Sequence, residues 1–360
     1  MKKIKLFDPI ISRDEEKIIK DVLKSRFWAS GAGIGNVLKF ENQFRKYTNS
    51  TNCVAVNSGT AALHLALDVA GVRNKEVIVP SLSFVSTAHS VVYNGGKPIF
   101  VDVNPETLCI DIESIKKSIT NKTAAILPVH FAGMPCELDE IMKLCNKHNI
   151  ILIEDAAHAA GATYKNKKIG THGEMVCFSF HPVKNLAMPA GGAITLNGKM
   201  VSKRRKILNS LRWCGISNRK ETTYDVSNLG WNYYMNEFSA AIGIIQLKRL
   251  DNMNKIRRNI AKRYSEEIHI NDKMPFNRNC SYHFYWIKVK KREKFMKKLK
   301  EKNVETGIHY KPIHKMSYYN DKIILPNSEY AGKHIVSLPT HPNLRESEIT
   351  KIITLVNQFS

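Results

Sequence analysis

The chain has 360 residues, 43% of them apolar, which is enough for a sizeable core and suggests two or three domains. It contains no run of about 18 apolar residues, so no membrane span is predicted, and its basic N-terminus lacks the apolar core of a signal peptide. The formal net charge of +23 is spread along the chain without a zinc-finger, RNA-recognition or helix-turn-helix signature, so we expect a solvated basic surface that attracts anionic substrates, and no nucleic-acid partner.

Through the first two-thirds of the chain, short apolar runs alternate with segments of helical periodicity. Runs rich in Ile and Val that alternate with helices predict a mainly parallel sheet covered on both faces, an α/β fold. The predicted strands are Cys53–Val56, Glu76–Val79, Pro98–Val101, Ala124–Leu127, Ile150–Ile153, Val176–Phe180 and Gly192–Leu196. The predicted helices between them are Ala61–Ala70, Phe84–Val92, Ile112–Ser118 and Leu138–Lys147. Ligands of such sheets bind beyond the carboxyl ends of the strands.

The last third of the chain predicts a second, smaller unit. From about residue 235 to 268, the apolar spacing predicts one long connecting helix. The segments after it are predicted as two strands, His283–Val289 and Val304–His309, and two helices, Glu293–Lys302 and Glu346–Phe359. We therefore expect a large domain over residues 1–250 and a small C-terminal α/β domain over residues 251–360.

The seven cysteines are scattered and odd in number, and none of them forms a C-x-x-C pair. This pattern predicts neither a disulfide framework nor a metal site. Unpaired thiols are typical of a reducing compartment, so we expect a cytoplasmic protein.

Three segments at predicted strand ends carry polar chemistry. The first, Asn-Ser-Gly-Thr-Ala-Ala-Leu over residues 57–63, follows a strand and opens a helix. The free amides at the start of the helix and the helix dipole suit a phosphate monoester, and Gly59 allows the sharp turn. Ser and Thr are also common helix caps, so this segment alone leaves a purely structural role open.

The second segment places Glu154 and Asp155 after the apolar run Ile150–Ile153. A carboxylate there can hold a cofactor nitrogen in its protonated form by a charge-assisted hydrogen bond. Neighbouring residues of a strand point in opposite directions, so we expect only one of the two to serve a site. Capping of the following turn is the alternative, and His158 could equally be a structural histidine.

The third segment places Lys184 shortly after a predicted buried strand, with Ser179 before it and Gly191 and Gly192 after it. An amine there can form a Schiff base if its surroundings lower its pKa, and the serine can bind a phosphate. Taken alone, a lysine is usually a solvated surface residue. Together, a phosphate cradle, a strand-end acid and a lysine are typical of a pyridoxal phosphate (PLP) site.

These three motifs, Asn57–Leu63, Glu154–His158 and Ser179–Asn185, resemble the DegT/StrS family of nucleotide-sugar aminotransferases. The likeness covers nearly the whole chain. It implies PLP fold type I: a large domain with a mainly parallel seven-stranded sheet flanked by helices, and a small C-terminal α/β domain. It also implies catalytic roles for Lys184, as the Schiff-base lysine and proton carrier, and for Asp155, as the carboxylate on the pyridine nitrogen.

The resemblance implies further cofactor contacts. Phe84 matches the aromatic ring that stacks on the cofactor, and His158 matches a residue near the cofactor ring. Phosphate contacts are implied for Ser179, the amides of Gly59 and Thr60, and Asn232 from the neighbouring subunit, which makes a homodimer part of the site. His309 and Tyr310 are candidate substrate residues.

The activity implied is transfer of an amino group from an amino acid, expected to be L-glutamate, to a keto sugar linked to a nucleotide, with PLP and its aminated form PMP as cofactor and no metal. Three alternatives stay open: a non-nucleotide acceptor such as a cyclitol, a PLP-type sugar dehydrase, which carries His in place of the lysine, and a catalytically silent binding protein. The chain departs from the family where Pro189 and Ala190 replace the usual Gly-Glu, so the sugar preference is left open.

Overall fold

The centre of the protein is a seven-stranded sheet, seen in a computed structural model that describes residues 3–360. The first two residues of the basic N-terminus lie outside the described part. The strands in chain order are β1 (Asn52–Val56), β2 (Glu76–Pro80), β3 (Lys97–Val101), β4 (Thr123–Ile126), β5 (Ile151–Asp155), β6 (Thr163–Tyr164), β7 (Lys167–Lys168), β8 (Met175–Ser179), β9 (Gly192–Leu196), β10 (Ile216–Lys220), β11 (Thr223–Val226), β12 (Tyr285–Lys288) and β13 (Ile335–Leu338).

The central sheet has the order β1-β9-β8-β5-β4-β2-β3. Strand β9 runs antiparallel to both of its neighbours, and all other neighbouring pairs are parallel. All seven strands predicted for the large domain belong to this sheet, with ends within two residues of the prediction. The predicted mainly parallel α/β fold is therefore confirmed.

Helices cover both faces of the sheet. The helices in chain order are α1 (Arg13–Ser25), α2 (Gly35–Thr48), α3 (Gly59–Ala70), α4 (Ser86–Tyr93), α5 (Ile112–Ser118), α6 (Leu138–His148), α7 (Val201–Leu211), α8 (Glu237–Glu267), α9 (Arg292–Glu301), α10 (Pro326–His334) and α11 (Glu346–Phe359). Helices α9, α10 and α11 pack in the C-terminal part. Ile78 packs in one buried cluster, whereas Val77 and Val79 pack in the other. This alternation is expected for a strand that is buried on both faces.

The C-terminal part contains a two-stranded antiparallel sheet of β12 and β13. The predicted strand Val304–His309 is wrong. Val304 makes a single bridge to Ile4, and Gly307 a single bridge to Ser337. The pairing does not continue as a ladder because the chain leaves the sheet after Gly307, and the next residues enter a pocket.

Helix α8 is continuous across the expected domain boundary between residues 250 and 251. The helix therefore does not mark a boundary there, and the division into two domains stays a prediction. Within residues 3–360, no helix is both long and apolar enough to cross a membrane. All seven cysteines are free thiols.

Candidate active site

A pocket of about 360 Å³ opens at the carboxyl ends of the central strands. Nine of the ten residues predicted for the site line it: Gly59, Thr60, Phe84, Asp155, His158, Ser179, Lys184, His309 and Tyr310. Asp155, His158, Ser179 and Lys184 come together because β5 and β8 are parallel neighbours, so both strands end at the same edge of the sheet.

The start of α3 and the end of β8 form an anion cradle. The Ser58 hydroxyl accepts a hydrogen bond from the Ala61 amide (3.1 Å) and so caps the helix. A Cβ atom on Gly59 would lie 2.7 Å from Ser179 Cβ, which is too close for any other residue type. The glycine thus lets the Ser179 side chain lie against the first turn, where the unpaired amides of the helix suit a phosphate.

Asp155 lies at the end of β5 with its carboxylate buried in the pocket wall. The Thr87 hydroxyl donates to Oδ2 (2.8 Å), and the Ala157 amide donates to Oδ1 (3.1 Å). Burial raises the pKa of Asp155, and these hydrogen bonds and the Lys184 amine oppose the rise. The preceding Glu154 does not line the pocket, and its buried carboxylate pairs with His130 (2.8 Å).

Lys184 lies in the turn that follows β8, where its amide donates to the His181 carbonyl (2.8 Å). Its partly buried side chain lines the same pocket as Asp155. Loss of hydration lowers the pKa of Lys184 to about 8, while attraction to the Asp155 carboxylate raises it. An amine with this pKa is present in both its neutral and its protonated form near neutral pH, as a nucleophile and proton carrier requires.

Histidine and tyrosine side chains form the wall opposite. The Tyr310 hydroxyl lies 3.1 Å from His158 Nε2, and the His158 ring lies 4.6 Å from the His283 ring between centroids. Burial lowers the pKa of both histidines well below the ordinary value and that of His309 to about 4. This wall is therefore neutral near pH 7 and offers hydrogen bonds rather than charge.

Asn232 is the one predicted site residue outside the pocket. It is exposed, and its backbone carbonyl accepts a hydrogen bond from the Asn57 side-chain amide (3.3 Å). Its strand-like contact is with Trp213. Within one chain, Asn232 does not reach the cradle.

Three residues of the site were not predicted from the sequence. Thr87 donates to Asp155, Ser83 lies 2.8 Å from the Thr87 hydroxyl, and His283 lines the pocket beside His158. Ser83 and Thr87 flank Phe84 in the chain, so the turn that carries the predicted aromatic residue was the only available signal. His283 comes from the C-terminal part and had no motif to mark it.

The pocket residues fit pyridoxal phosphate. The cradle accepts a phosphate, the buried acid faces a site for a ring nitrogen, and the amine of lowered pKa suits an aldehyde. Phe84 keeps 54% of its surface exposed beside the pocket, which leaves its ring free to stack on a flat ligand.

Comparison with known proteins decides the family. The model of the DegT/DnrJ/EryC1/StrS aminotransferase family matches residues 9–357. The chain belongs to this family. GDP-perosamine synthase of Escherichia coli O157:H7 is 33% identical to it over 367 residues, covering 100% of this chain and 99% of that protein. The spore coat polysaccharide biosynthesis protein SpsC of Bacillus subtilis is 32% identical, covering 98% of this chain and 95% of that protein.

Solved structures show the same likeness. The putative sugar aminotransferase Spr1654 from Streptococcus pneumoniae in its PMP form has a TM-score of 0.94 at 26% identity, covering 99% of this chain and 97% of that chain. The same protein is also solved in its PLP form. The chain is thus a PLP-dependent sugar aminotransferase of PLP fold type I, and the predicted cofactor and enzyme class are confirmed.

Proposed function

We propose that this aminotransferase takes the amino group of L-glutamate and transfers it to the keto carbon of a sugar linked to a nucleotide. The observation that carries the proposal is the Lys184 amine of lowered pKa, which shares one pocket with a buried acid and an anion cradle. The relative named GDP-perosamine synthase supports a nucleotide-linked acceptor.

The residues that would hold the cofactor follow from the pocket. The amides of Gly59 and Thr60 and the Ser179 hydroxyl would bind the phosphate, and Asp155 would bind the ring nitrogen. When bound, PLP supplies an aldehyde that condenses with amines and a ring that accepts electrons. Phe84 would cover one ring face.

Lys184 would act first as a nucleophile and then as an acid and a base. Since its pKa is about 8, a usable fraction of the amine is neutral at pH 7 and can bond to an aldehyde. Once released, the same amine can take a proton from a substrate carbon and return it elsewhere, because both protonation states are accessible. Asp155 would keep a ring nitrogen protonated.

The pocket suits anionic substrates. Asp155 is the only carboxylate among the described residues that line it, so the donor carboxylates and the nucleotide phosphates meet no repelling acid at the rim. The neutral imidazole of His309 and the Tyr310 hydroxyl offer hydrogen bonds to sugar hydroxyls. The surplus of basic residues over the whole chain would raise the encounter rate with anions.

The working unit is proposed to be a homodimer in which Asn232 reaches the phosphate cradle of the partner. Two features support this: Asn232 is exposed and outside its own pocket, and its neighbours Leu229 and Trp231 are apolar side chains that are 86% and 37% exposed. Exposed apolar groups that lie together are typical of a protein interface.

The shared site is tested with mixed dimers. A dimer of one Lys184→Ala chain and one Asn232→Ala chain places both defects in one site and leaves the other site intact. We expect about half of the wild-type turnover from an isolated mixed dimer, whereas the Lys184→Ala homodimer is inactive and the Asn232→Ala homodimer retains PLP poorly. An inactive mixed dimer would contradict the sharing of Asn232 between chains.

Donor and acceptor are tested separately. The PLP-loaded enzyme is mixed with L-glutamate, L-glutamine or L-alanine, and the 2-oxo acid and the loss of cofactor absorption are measured. We expect L-glutamate to react fastest and Lys184→Ala not to react. The PMP form is then given nucleotide-linked keto sugars, the matching free sugars and a keto cyclitol, with mass spectrometry of the products. Turnover of the cyclitol but of no nucleotide-linked sugar would refute the proposed acceptor.

A cytoplasmic location also belongs to the proposal. It is supported by the seven free thiols, six of them buried, which form no disulfide that would depend on an oxidising compartment. Fractionation of cells with an antibody to the protein tests it, and recovery of the protein outside the cytoplasmic fraction would contradict it.

A further inference from the structure

The hydroxyl groups of Ser83 and Thr87 form a short chain of hydrogen bonds that ends on Asp155. Ser83 Oγ lies 2.8 Å from Thr87 Oγ1, which lies 2.8 Å from Asp155 Oδ2. All three side chains are buried, and Thr87 has no exposed surface. Neither hydroxyl has a role in the phosphate cradle or beside the Lys184 amine.

The donor and acceptor of each of these hydrogen bonds follow from the number of hydroxyl protons. An ionised carboxylate only accepts hydrogen bonds, so the Thr87 hydroxyl must donate its single proton to Asp155. Thr87 then has no proton left for Ser83, and the Ser83 hydroxyl must be the donor of the second hydrogen bond. Ser83 is one of the residues that line the pocket.

The two donors fix the orientation of the carboxylate. Thr87 holds one oxygen of Asp155, and the Ala157 amide holds the other (3.1 Å). A rotation of the Asp155 side chain would remove the acceptor of the proton that the buried Thr87 hydroxyl donates, which is costly in the protein interior. Because the Thr87 amide donates to the Phe84 carbonyl (3.1 Å), one turn carries both Phe84 and the donor to the acid.

We propose that Thr87, supported by Ser83, is a positioning residue that holds the Asp155 carboxylate toward the ring nitrogen of the cofactor. The inference rests on the role of Asp155 in the proposed function. The Thr87 hydrogen bond also favours the ionised form of Asp155 and so opposes the rise in pKa that burial causes. The titratable groups that interact with this carboxylate are Lys184, His130, Tyr310 and Cys177.

The test compares Thr87→Val, which removes the hydroxyl at nearly the same shape, with Thr87→Ser, which keeps it. We expect the dissociation constant of PLP to rise roughly 10- to 100-fold in Thr87→Val and to stay within a few-fold of wild type in Thr87→Ser. Loss of the hydrogen bond raises the pKa of Asp155, so the carboxylate becomes protonated at a higher pH. As the pH is lowered, PLP affinity should therefore begin to fall at a higher pH in Thr87→Val than in wild type. Thr87→Ser should keep the wild-type profile.

A spectroscopic measurement separates positioning from a merely structural role. In ¹⁵N NMR of ring-labelled PLP on the protein at neutral pH, we expect a protonated ring nitrogen in wild type and Thr87→Ser. The protonated fraction should be lower in Thr87→Val. Ser83→Ala leaves Thr87 in place, so it should shift the pH profile of PLP affinity to higher pH by less than Thr87→Val does. If Thr87→Val does not fold, Ser83→Ala supplies the test of the inference.

The inference is overturned if Thr87→Val has the PLP affinity, the pH profile and the nitrogen signal of wild type. If Thr87→Val is unfolded, a wild-type pH profile in Ser83→Ala overturns it instead. Asp155→Asn separates this failure from failure of the proposed function. If Asp155→Asn loses the protonated nitrogen and Thr87→Val does not, only the role of Thr87 fails. If Asp155→Asn also keeps the wild-type signal, the assignment of Asp155 is wrong.

Discussion

The Lys184 amine is expected to be far more reactive at neutral pH than a lysine on the surface. Burial lowers its pKa to about 8. Only the neutral amine is a nucleophile, and at pH 7 a pKa of 8 leaves about 9% of it neutral, whereas the ordinary lysine value of about 10.4 leaves about 0.04%. The neutral fraction of Lys184 is therefore about 200 times larger.

Brief labelling of the cofactor-free enzyme measures this difference. The protein is treated with an amine-acylating reagent at a series of pH values from about 6 to 11, and modified peptides are quantified by mass spectrometry. Lys290, whose exposed side chain has no hydrogen bond or ion pair among the described residues, is the reference in the same digest. We expect the labelling of Lys184 to have its midpoint near pH 8.

The midpoint decides the result, because partial burial slows labelling of Lys184 by the same factor at every pH. The variant Asp155→Asn tests how the neighbouring carboxylate affects the pKa of Lys184. The carboxylate favours the protonated amine, so its removal should move the midpoint to lower pH. A midpoint at or above about 10, or an upward shift in Asp155→Asn, would refute the account of Lys184 as an amine tuned by burial.

Two further predictions concern packing, one at the site and one at a buried ion pair outside the pocket. Gly59→Ala places a methyl group 2.7 Å from Ser179 Cβ, so we expect the protein to lose about 1–3 kcal/mol of unfolding free energy in urea and to bind PLP more weakly by equilibrium dialysis. Arg212→Met leaves the buried Glu41 carboxylate without its ion-pair partner (2.5 Å), although the Ala55 amide still donates to it. We expect a cost of about 3–5 kcal/mol in the same urea assay, and adding Glu41→Leu should recover part of the loss. Wild-type urea midpoints in either single variant would contradict the packing argument.

The sequence predicted secondary structure best where the local hydrophobic pattern and the burial of the element agree. The strands of the central sheet are short Ile- and Val-rich runs, and burial on both faces gives each run a clear signal. Helices α1, α2, α7 and α10, strands β6, β7 and β13, and the hairpin of β10 and β11 were not predicted. The hairpin is exposed along most of its length and is held by its own backbone pairing, so it carries no hydrophobic pattern.

The site residues divide in the same way. Asp155 ends one buried strand and Lys184 follows another, so their place at one sheet edge could be inferred from the parallel α/β pattern. Thr87 and His283 could not be inferred, because their contacts depend on how separate segments pack: Thr87 meets Asp155 across 68 positions, and the His283 ring stacks on Phe7 of the N-terminal segment at 5.1 Å. Such contacts have no local sequence signature.

The charge of the pocket differs from the charge of the chain, and the difference bears on catalysis. The formal net charge is +23, yet the residues of the described range 3–360 that line the pocket include one carboxylate, one lysine and four histidines. Burial lowers the pKa of His158, His283 and His309 below neutrality. If these rings were protonated, they would lower the pKa of Lys184 further and leave less of the amine protonated for its proposed role as an acid. Kept neutral, they add no charge to the proposed phosphate cradle of α3 amides and Ser179, while basic residues outside the pocket act through long-range attraction, which salt weakens.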